Sequence, residues 1–337
     1  MRILRRSLLA ILALLLIAAG WLYLRITDHP DLSAFDRYRL EPSAAADGPR
    51  VTVTFLGVST LLIDDGTTAL LTDGFFTRPS KAATLFGRIA PDPALIAAAL
   101  ERARIARLAA VIAVHSHYDH AMDSPEVARR TGALLIGSES TANIARGWQL
   151  PADQFRLATP GAAVPFGAFR VTLLESPHFP HGMAMGEIAE PLVPPVRADA
   201  YREGGSYSVL VEHPLGTLLV QGSAGWRDGA LAGRRADVVL LGIGGMGGSD
   251  DPYRDTYWRE VVDAVGARCV MPIHFDDFTL PLADPPPAMP MLLDDVPASL
   301  DFLVRRAAER GIGFGILPAG QPLPLLGAGA APCRPPS

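Results

Sequence analysis

The sequence predicts an α/β protein, a four-layered αββα sandwich of two sheets with helices outside, preceded by one transmembrane anchor helix. Short strand patterns recur through both halves of the chain, and helical stretches are interleaved with them. An uncharged apolar run opens the chain. With 337 residues and 49% of them hydrophobic, there is material for one large domain and an appendage.

Arg2, Arg5 and Arg6 precede the run from Ser7 to Leu24, and Arg25 closes it. These 18 residues would span roughly 27 Å as a helix, close to the hydrocarbon thickness of a bilayer. Trp21 and Tyr23 sit at the far end, where interfacial aromatics are expected. The leading arginines predict an N-terminus in the cytoplasm and the bulk of the chain outside it, on the periplasmic side in a bacterium. A cleaved signal sequence is the competing reading. Ala18-Ala19-Gly20 offers small residues for cleavage, but bulky Trp21 and Tyr23 follow and the apolar run continues past them. The chain therefore divides into an anchor over residues 1–24, an aperiodic linker over 25–48, the domain over 49–320 and a disordered Pro-, Gly- and Ala-rich tail over 321–337.

Within the domain, Val51, Val53 and Phe55 alternate with threonines as a strand, Ser59 to Ile63 is a second, and Asp64-Asp65-Gly66 turns into a third at Thr68 to Thr72. Pro91 to Leu108 reads as a helix. The fully apolar run Leu108 to Val114 is a buried strand. Asp123-Ser124-Pro125-Glu126 starts a helix with a capping side chain and Pro in the first turn; Gly132 ends it before a strand at Ala133 to Ile136. Further strands follow at Phe169 to Glu175, Ser206 to Glu212, Thr217 to Gln221, Asp237 to Gly242, Arg268 to Ile273 and Ile312 to Ile316, with helices at Tyr253 to Val265 and Val296 to Arg310. Pro191, Pro194 and Pro195 make residues 182–205 a long surface loop, the kind that serves as an active-site lid.

A net charge of −5 without a basic patch excludes nucleic acid as the expected partner. Cys269 and Cys333 show no framework spacing and read as one buried and one tail thiol, so any metal must be held by His and carboxylate. The chain has eight histidines, and three fall in His115-Ser116-His117-Tyr118-Asp119-His120, just after a buried strand and before a helix start. Imidazoles and a carboxylate are what zinc takes when Cys is absent. His178 and His274 each follow a strand; alone they would read as loop or core histidines, but beside the first cluster they read as ligands. His181 is the alternative to His178 as a ligand, or lines the pocket. His213, in a turn, reads as structural, and His29 as solvated. The five glycines of Gly242 to Gly248 read as a tight turn beside the pocket rather than a phosphate cradle, since no P-loop Lys or Ser/Thr follows. Phe75, Phe76, Trp226 and Trp258 read as core or rim packing.

On this motif the chain, over about residues 50 to 317, resembles the metallo-β-lactamase fold superfamily. Within it the chain is most similar to the branch of ascorbate-6-phosphate lactonases and N-acyl phosphatidylethanolamine phospholipase D. The resemblance implies first-site ligands His115, His117 and His178, and second-site ligands Asp119, His120 and His274. It implies that Asp73, in Thr72-Asp73-Gly74, hydrogen-bonds the metal loop. Where the family has a bridging Asp, this chain has Ser223, in Gln221-Gly222-Ser223-Ala224-Gly225. One or two zinc ions are expected, other divalent metals being admitted by the same ligands. The chemistry implied is hydrolysis by a metal-held hydroxide, the water's pKa being lowered to roughly 7, with Asp119 as the catalytic residue that orients it. The substrate is a phosphodiester of a lipid or envelope component, or a lactone or other ester. The alternative is a non-catalytic metal-binding or interaction domain, degenerate at Ser223.

Overall fold

The apolar opening run is helical, as its composition requires: α1 spans Arg2–Thr27 in the computed structural model, which describes residues 2–41, 47–180, 182–330 and 333–336. Within its stretch Arg5–Thr27 an 18-residue window has a mean hydropathy of 2.4, and the helix is long and apolar enough to cross a membrane, a property that a signal sequence shares.

Beyond α1 the strands are β1 (Arg50–Phe55), β2 (Leu61–Asp64), β3 (Ala69–Thr72), β4 (Ala110–Ile112), β5 (Leu134–Gly137), β6 (Phe155–Leu157) and β7 (Ala163–Phe166). They continue with β8 (Phe169–Glu175), β9 (Tyr207–His213), β10 (Gly216–Gln221), β11 (Val238–Gly242), β12 (Cys269–Ile273), β13 (Gly313–Phe314) and β14 (Pro322–Gly327). The helices after α1 are α2 (Lys81–Phe86), α3 (Pro93–Arg102), α4 (Tyr118–Ala121), α5 (Ser124–Thr131), α6 (Glu139–Gly147), α7 (Asp251–Trp258) and α8 (Val296–Arg310).

The described residues form two seven-stranded mixed sheets, ordered β14-β1-β2-β3-β4-β5-β6 and β13-β12-β11-β10-β9-β8-β7. Each contains a run of antiparallel pairs followed by three parallel ones: β3 to β6 in the first sheet, β10 to β13 in the second. Successive strand residues face opposite sides, and this period splits the first sheet between two cores. Leu70, Ile112 and Ile136 join Val171, Leu173, Val209 and Val220 of the second sheet. Their neighbours Leu71, Val111 and Leu135 turn the other way, onto Ile96 and Leu100 of α3, Val127 of α5 and Ala145 of α6. Trp258 of α7 and Leu300 and Leu303 of α8 are buried with the second sheet.

The expected elements occur, with shifts that have local causes. The helix expected over 91–108 is α3 alone: Asp92 caps it through Ala94 and Leu95 N–H, and Arg104, at φ 55, turns the chain off its axis. Asp123 precedes α5 but makes no cap; its own backbone is helical (φ −89, ψ −15), and its carboxylate is drawn to Phe76 N, Thr77 N and Thr77 Oγ1 instead. The helix expected over 253–265 is α7 followed by a π-helical turn at Arg259–Asp263. Short β6, β7, α2 and α6 lack a readable period.

Three readings are corrected. The region 321–337 contains β14, paired antiparallel with β1 and burying Leu323, Leu325 and Leu326, because the edge of β1 needs hydrogen-bond partners. Cys333 beyond it forms a disulfide with Cys269 of β12 (Cα–Cα 5.6 Å), so neither is a free thiol. The linker is not loose either: Phe35 is buried, Tyr38 packs edge-on to Phe314 at 5.2 Å, and Leu40 N–H donates to Ile316 O. His29 belongs to that correction, with Nδ1 2.7 Å from Ala288 O. Residues 42–46 and His181 lie outside the described residues.

Candidate metal centre

Each parallel strand ends at the same edge of its sheet, and chemistry in such layered folds gathers there. Asp73 follows β3, His115 follows β4, His178 follows β8, Ser223 follows β10 and His274 follows β12. Past β4, Val114 N–H donates to Asp73 Oδ1 (2.9 Å) and Ser116 N–H to Glu203 O (2.9 Å), which stretch the metal loop between the sheets. His117 then starts the single turn α4, its carbonyl accepting from His120 and Ala121 N–H. That turn sets Asp119 and His120 beside each other.

The six expected ligands fall into two groups, His115–His117–His178 and Asp119–His120–His274, each with donor atoms within 4.8 Å of one another. In the first, the ring centroids lie 4.6–4.8 Å apart with planes nearly perpendicular. In the second, Asp119 Oδ2 is 3.4 Å from both His120 Nε2 and His274 Nε2, and those nitrogens are 3.1 Å apart. His115 and His120 rings, 3.7 Å apart, join the groups.

His115 tests whether a metal fits. It is buried, and neither ring nitrogen has a hydrogen-bond partner among the described residues. A buried polar group left this way costs about 1–3 kcal/mol, and coordination would satisfy it. Burial, reinforced by the imidazoles of His120, His178, His117 and His274, pushes His115 well below its ordinary value, so the ring is neutral and holds the lone pair that a cation needs. Burial alone would raise Asp119, but His120, His274 and His117 outweigh it and hold the carboxyl well below the usual range. His274 is raised despite burial, chiefly by its hydrogen bond to Asp119. The protons shared in this group are those that a divalent cation displaces.

The candidate ligands are aimed from behind. Asp73 Oδ2 accepts from His120 Nδ1 (2.8 Å) and Ser59 Oγ (2.5 Å), which puts the His120 lone pair on Nε2. His117 Nε2 donates to Ala184 O at 3.2 Å, and His178 Nδ1 to Phe179 O at 2.8 Å. His274 stands at φ 59, fixed by its N–H donating to Val58 O (2.8 Å); Val58 N–H in turn donates to Asp276 Oδ1 (2.8 Å). A Cβ at Gly244 would lie 3.0 Å from His274 Nδ1, and one at Gly245 2.7 Å from the Phe179 ring. The glycine-rich segment is thus a close approach beside the pocket.

Ser223 is beside the centre but otherwise engaged: its Oγ accepts from Phe179 N–H at 3.0 Å and so braces the loop that carries His178. His213 is structural, accepting from Leu215 N–H and lying against Phe169. Phe75 and Trp258 are core residues. Sequence reasoning missed Ser59, Val58, Asp276 and Ala184, and no local pattern marks them, because each acts through a contact distant in sequence. The loop over 182–205 is pinned more firmly than a surface loop: Ile188 and Tyr201 are buried with Val58, Phe75 and Met122.

Facing sheets with two adjacent three-ligand groups at their carboxyl edges define an α/β protein built around a candidate metal centre. Residues 53–198 match the family model of the metallo-β-lactamase superfamily. A UPF0173 metal-dependent hydrolase of Heliobacterium modesticaldum is 26% identical over 237 residues, 67% of this chain and 83% of that protein. Igni18, a metallo hydrolase from Ignicoccus hospitalis, superposes with a TM-score of 0.51 at 17% identity, covering 81% of this chain and 97% of that one. CmlA, a diiron β-hydroxylase from Streptomyces venezuelae, does so with a TM-score of 0.51 at 14% identity, covering 83% of this chain and 55% of its own length, so this chain spans about half of it. Over residues 53–198 the chain is similar to the metallo-β-lactamase superfamily, and the solved structures share its fold. Structures of this fold differ in the chemistry their names state, so the reaction must be argued from the site.

Proposed function

We propose that this protein is a metal-dependent hydrolase acting on a phosphodiester of a lipid or envelope component. The observation that carries the reading is the pair of three-ligand groups, with His115 buried and unpartnered among them. His115, His117 and His178 would hold one ion and Asp119, His120 and His274 a second; a nitrogen and carboxylate set without Cys suits zinc, and admits other divalent metals. Bound there, the ion supplies Lewis acidity toward the phosphoryl group and toward water.

The chain's own residues do the rest. Asp119 stays ionised and is placed to accept a hydrogen bond from the attacking water and orient it. Asp73 keeps the proton of His120 on Nδ1. The segment over 182–205, through Ala184, fixes the His117 ring. Ser223 supplies no charge between the two groups; its hydroxyl braces the His178 loop. The anchor helix supports a membrane-associated substrate, and the Cys269–Cys333 disulfide supports an oxidising compartment outside the cytoplasm. The relatives described as metal-dependent or metallo hydrolases support the reaction class.

Elemental analysis of the full chain should find close to two metal ions where each has three protein ligands, and His117→Ala should lose one of them together with turnover of phosphodiesters. Full activity in His117→Ala with normal metal content would sink the scheme. Activity that appears only in Ser223→Asp would turn the reading to a non-catalytic metal-binding domain, and turnover confined to lactones would move the substrate class.

A further inference from the structure

Among the large apolar side chains beyond α1 that face solvent, two groups are tied to one short ribbon of the chain. In α2, Leu85 and Phe86 are 55% and 84% exposed; in the turn before α8, Met291, Leu292 and Leu293 are 39%, 43% and 55% exposed. Single exposed leucines are ordinary, but three consecutive large apolar residues at one turn tip are not.

Both tips hang from the ribbon of residues 275–289, which is closed on itself by Asp277 N–H donating to Pro287 O (2.7 Å) and Met289 N–H donating to Phe275 O (2.9 Å). Lys81, the first residue of α2, pairs with Asp277, and Arg78 Nη2 with Asp276 Oδ2 at 2.6 Å. The turn at 291–293 follows the ribbon directly. The exit of α1 is tied to the same ribbon: His29, two residues past the helix, bonds Ala288 O (2.7 Å) and lies 3.7 Å from Asp277 Oδ2. The ribbon starts next to His274, and the Phe278 ring lies 5.8 Å from the His274 ring and 6.1 Å from Tyr118. One short structure therefore links the end of the apolar helix, both exposed tips and the rim of the metal centre.

We infer that the tips of α2 and of the 291–293 turn are a bilayer-docking surface, entering the interfacial layer of the membrane that α1 spans and setting the rim of the metal centre against lipid. The inference rests on the reading of α1 as an anchor, and it narrows the proposed substrate to an amphiphile that stays in the bilayer. A lipid surface, rather than a second copy of the chain, is the occupant because α1 delivers these residues to it. With α1 inserted, contact is effectively intramolecular, so insertions that are weak one by one suffice.

The test uses the full chain in phosphatidylcholine vesicles with acyl-brominated lipid, in a Trp21→Phe background so that α1 does not report on itself. Phe86→Trp and Leu292→Trp should each add emission that is lost to bromine. Leu157→Trp, at a 48% exposed position on edge strand β6, should add emission that bromine leaves intact. No loss at 86 and 292 overturns the inference, as does equal loss at all three positions. A blue shift that grows with protein-to-lipid ratio and ignores bromine also overturns it, in favour of a second copy. The readout is contact rather than turnover, so bromine quenching at 86 and 292 in a protein that cleaves no lipid phosphodiester upholds the docking surface and removes only the substrate reading.

Discussion

His115 is the residue at which stability and chemistry oppose each other. Its ring is buried with both nitrogens unpartnered among the described residues, a cost of about 1–3 kcal/mol that a bound metal would relieve. His115→Leu should therefore leave metal-free protein at least as stable as the wild type, whereas added zinc should raise the melting temperature of the wild type far more than that of the variant. Denaturation with and without metal measures both. Asp123 contributes to the acid-side pH dependence, as does Asp294, which burial also raises to about 6. Burial raises Asp123 from an ordinary 3.8 to about 6, against the opposing hydrogen bonds from Thr77 and Phe76. The folded state therefore keeps a proton that the unfolded chain releases, and stability from this group is lost as pH rises from about 4 to about 6 and is flat above. The loss is about 3 kcal/mol at 1.36 kcal/mol per pKa unit. Asp123→Asn, whose amide oxygen can still accept from the two backbone N–H groups, should lose this group's share of the slope and keep the share from Asp294. Urea denaturation of wild type and variant at both ends of the window, each metal-free, shows the difference directly.

Among the elements, the two sequence ends do more than their composition announces. β14 gives β1 its outer partner, and Cys333 behind it is bonded to Cys269 on β12, the strand that delivers His274. The bridge spans 64 residues, and restricting a loop of that length in the unfolded chain is worth about 4 kcal/mol. Cys333→Ser, or reduction of the wild type, should lower the urea midpoint by a corresponding amount and leave the variant insensitive to reductant. The tail was illegible because its prolines and glycines mask the burial of Leu323, Leu325 and Leu326. It becomes a strand only because β1 offers an open edge. The linker was illegible for the same kind of reason: Phe35, Tyr38 and Leu40 have no period, and their partners Phe314 and Ile316 lie at the other end of the chain. By contrast α8 was read to the residue, since an apolar stripe, an N-cap at Asp295 and Gly311 at φ 64 are all local signals.

For the whole molecule, α1 and the domain make one prediction about where the protein sits. If α1 remains attached and spans the bilayer, alkaline carbonate should leave the full chain in the membrane fraction. Protease added outside the cytoplasmic membrane should then digest the domain and spare residues of α1. Release by carbonate of a chain starting after Gly20 would show cleavage instead. The domain meets the chain leaving α1 through His29, and the two sheets meet through a core that draws on strands far apart in sequence. Neither contact has a counterpart in composition.

The sequence by itself determined most of the longer strands and helices, the apolar opening helix and the six candidate ligands, because periodicity, caps and the spacing of His115, His117, Asp119 and His120 are local properties of the chain. Only the tertiary structure decided that His178 and His274 complete two separate groups, that Ser223 is spent on Phe179 N–H, that the cysteines pair and that the tail is a strand. Each of these is a contact between segments tens of residues apart. Such contacts come from the registry of two packed sheets, to which a one-dimensional pattern does not respond.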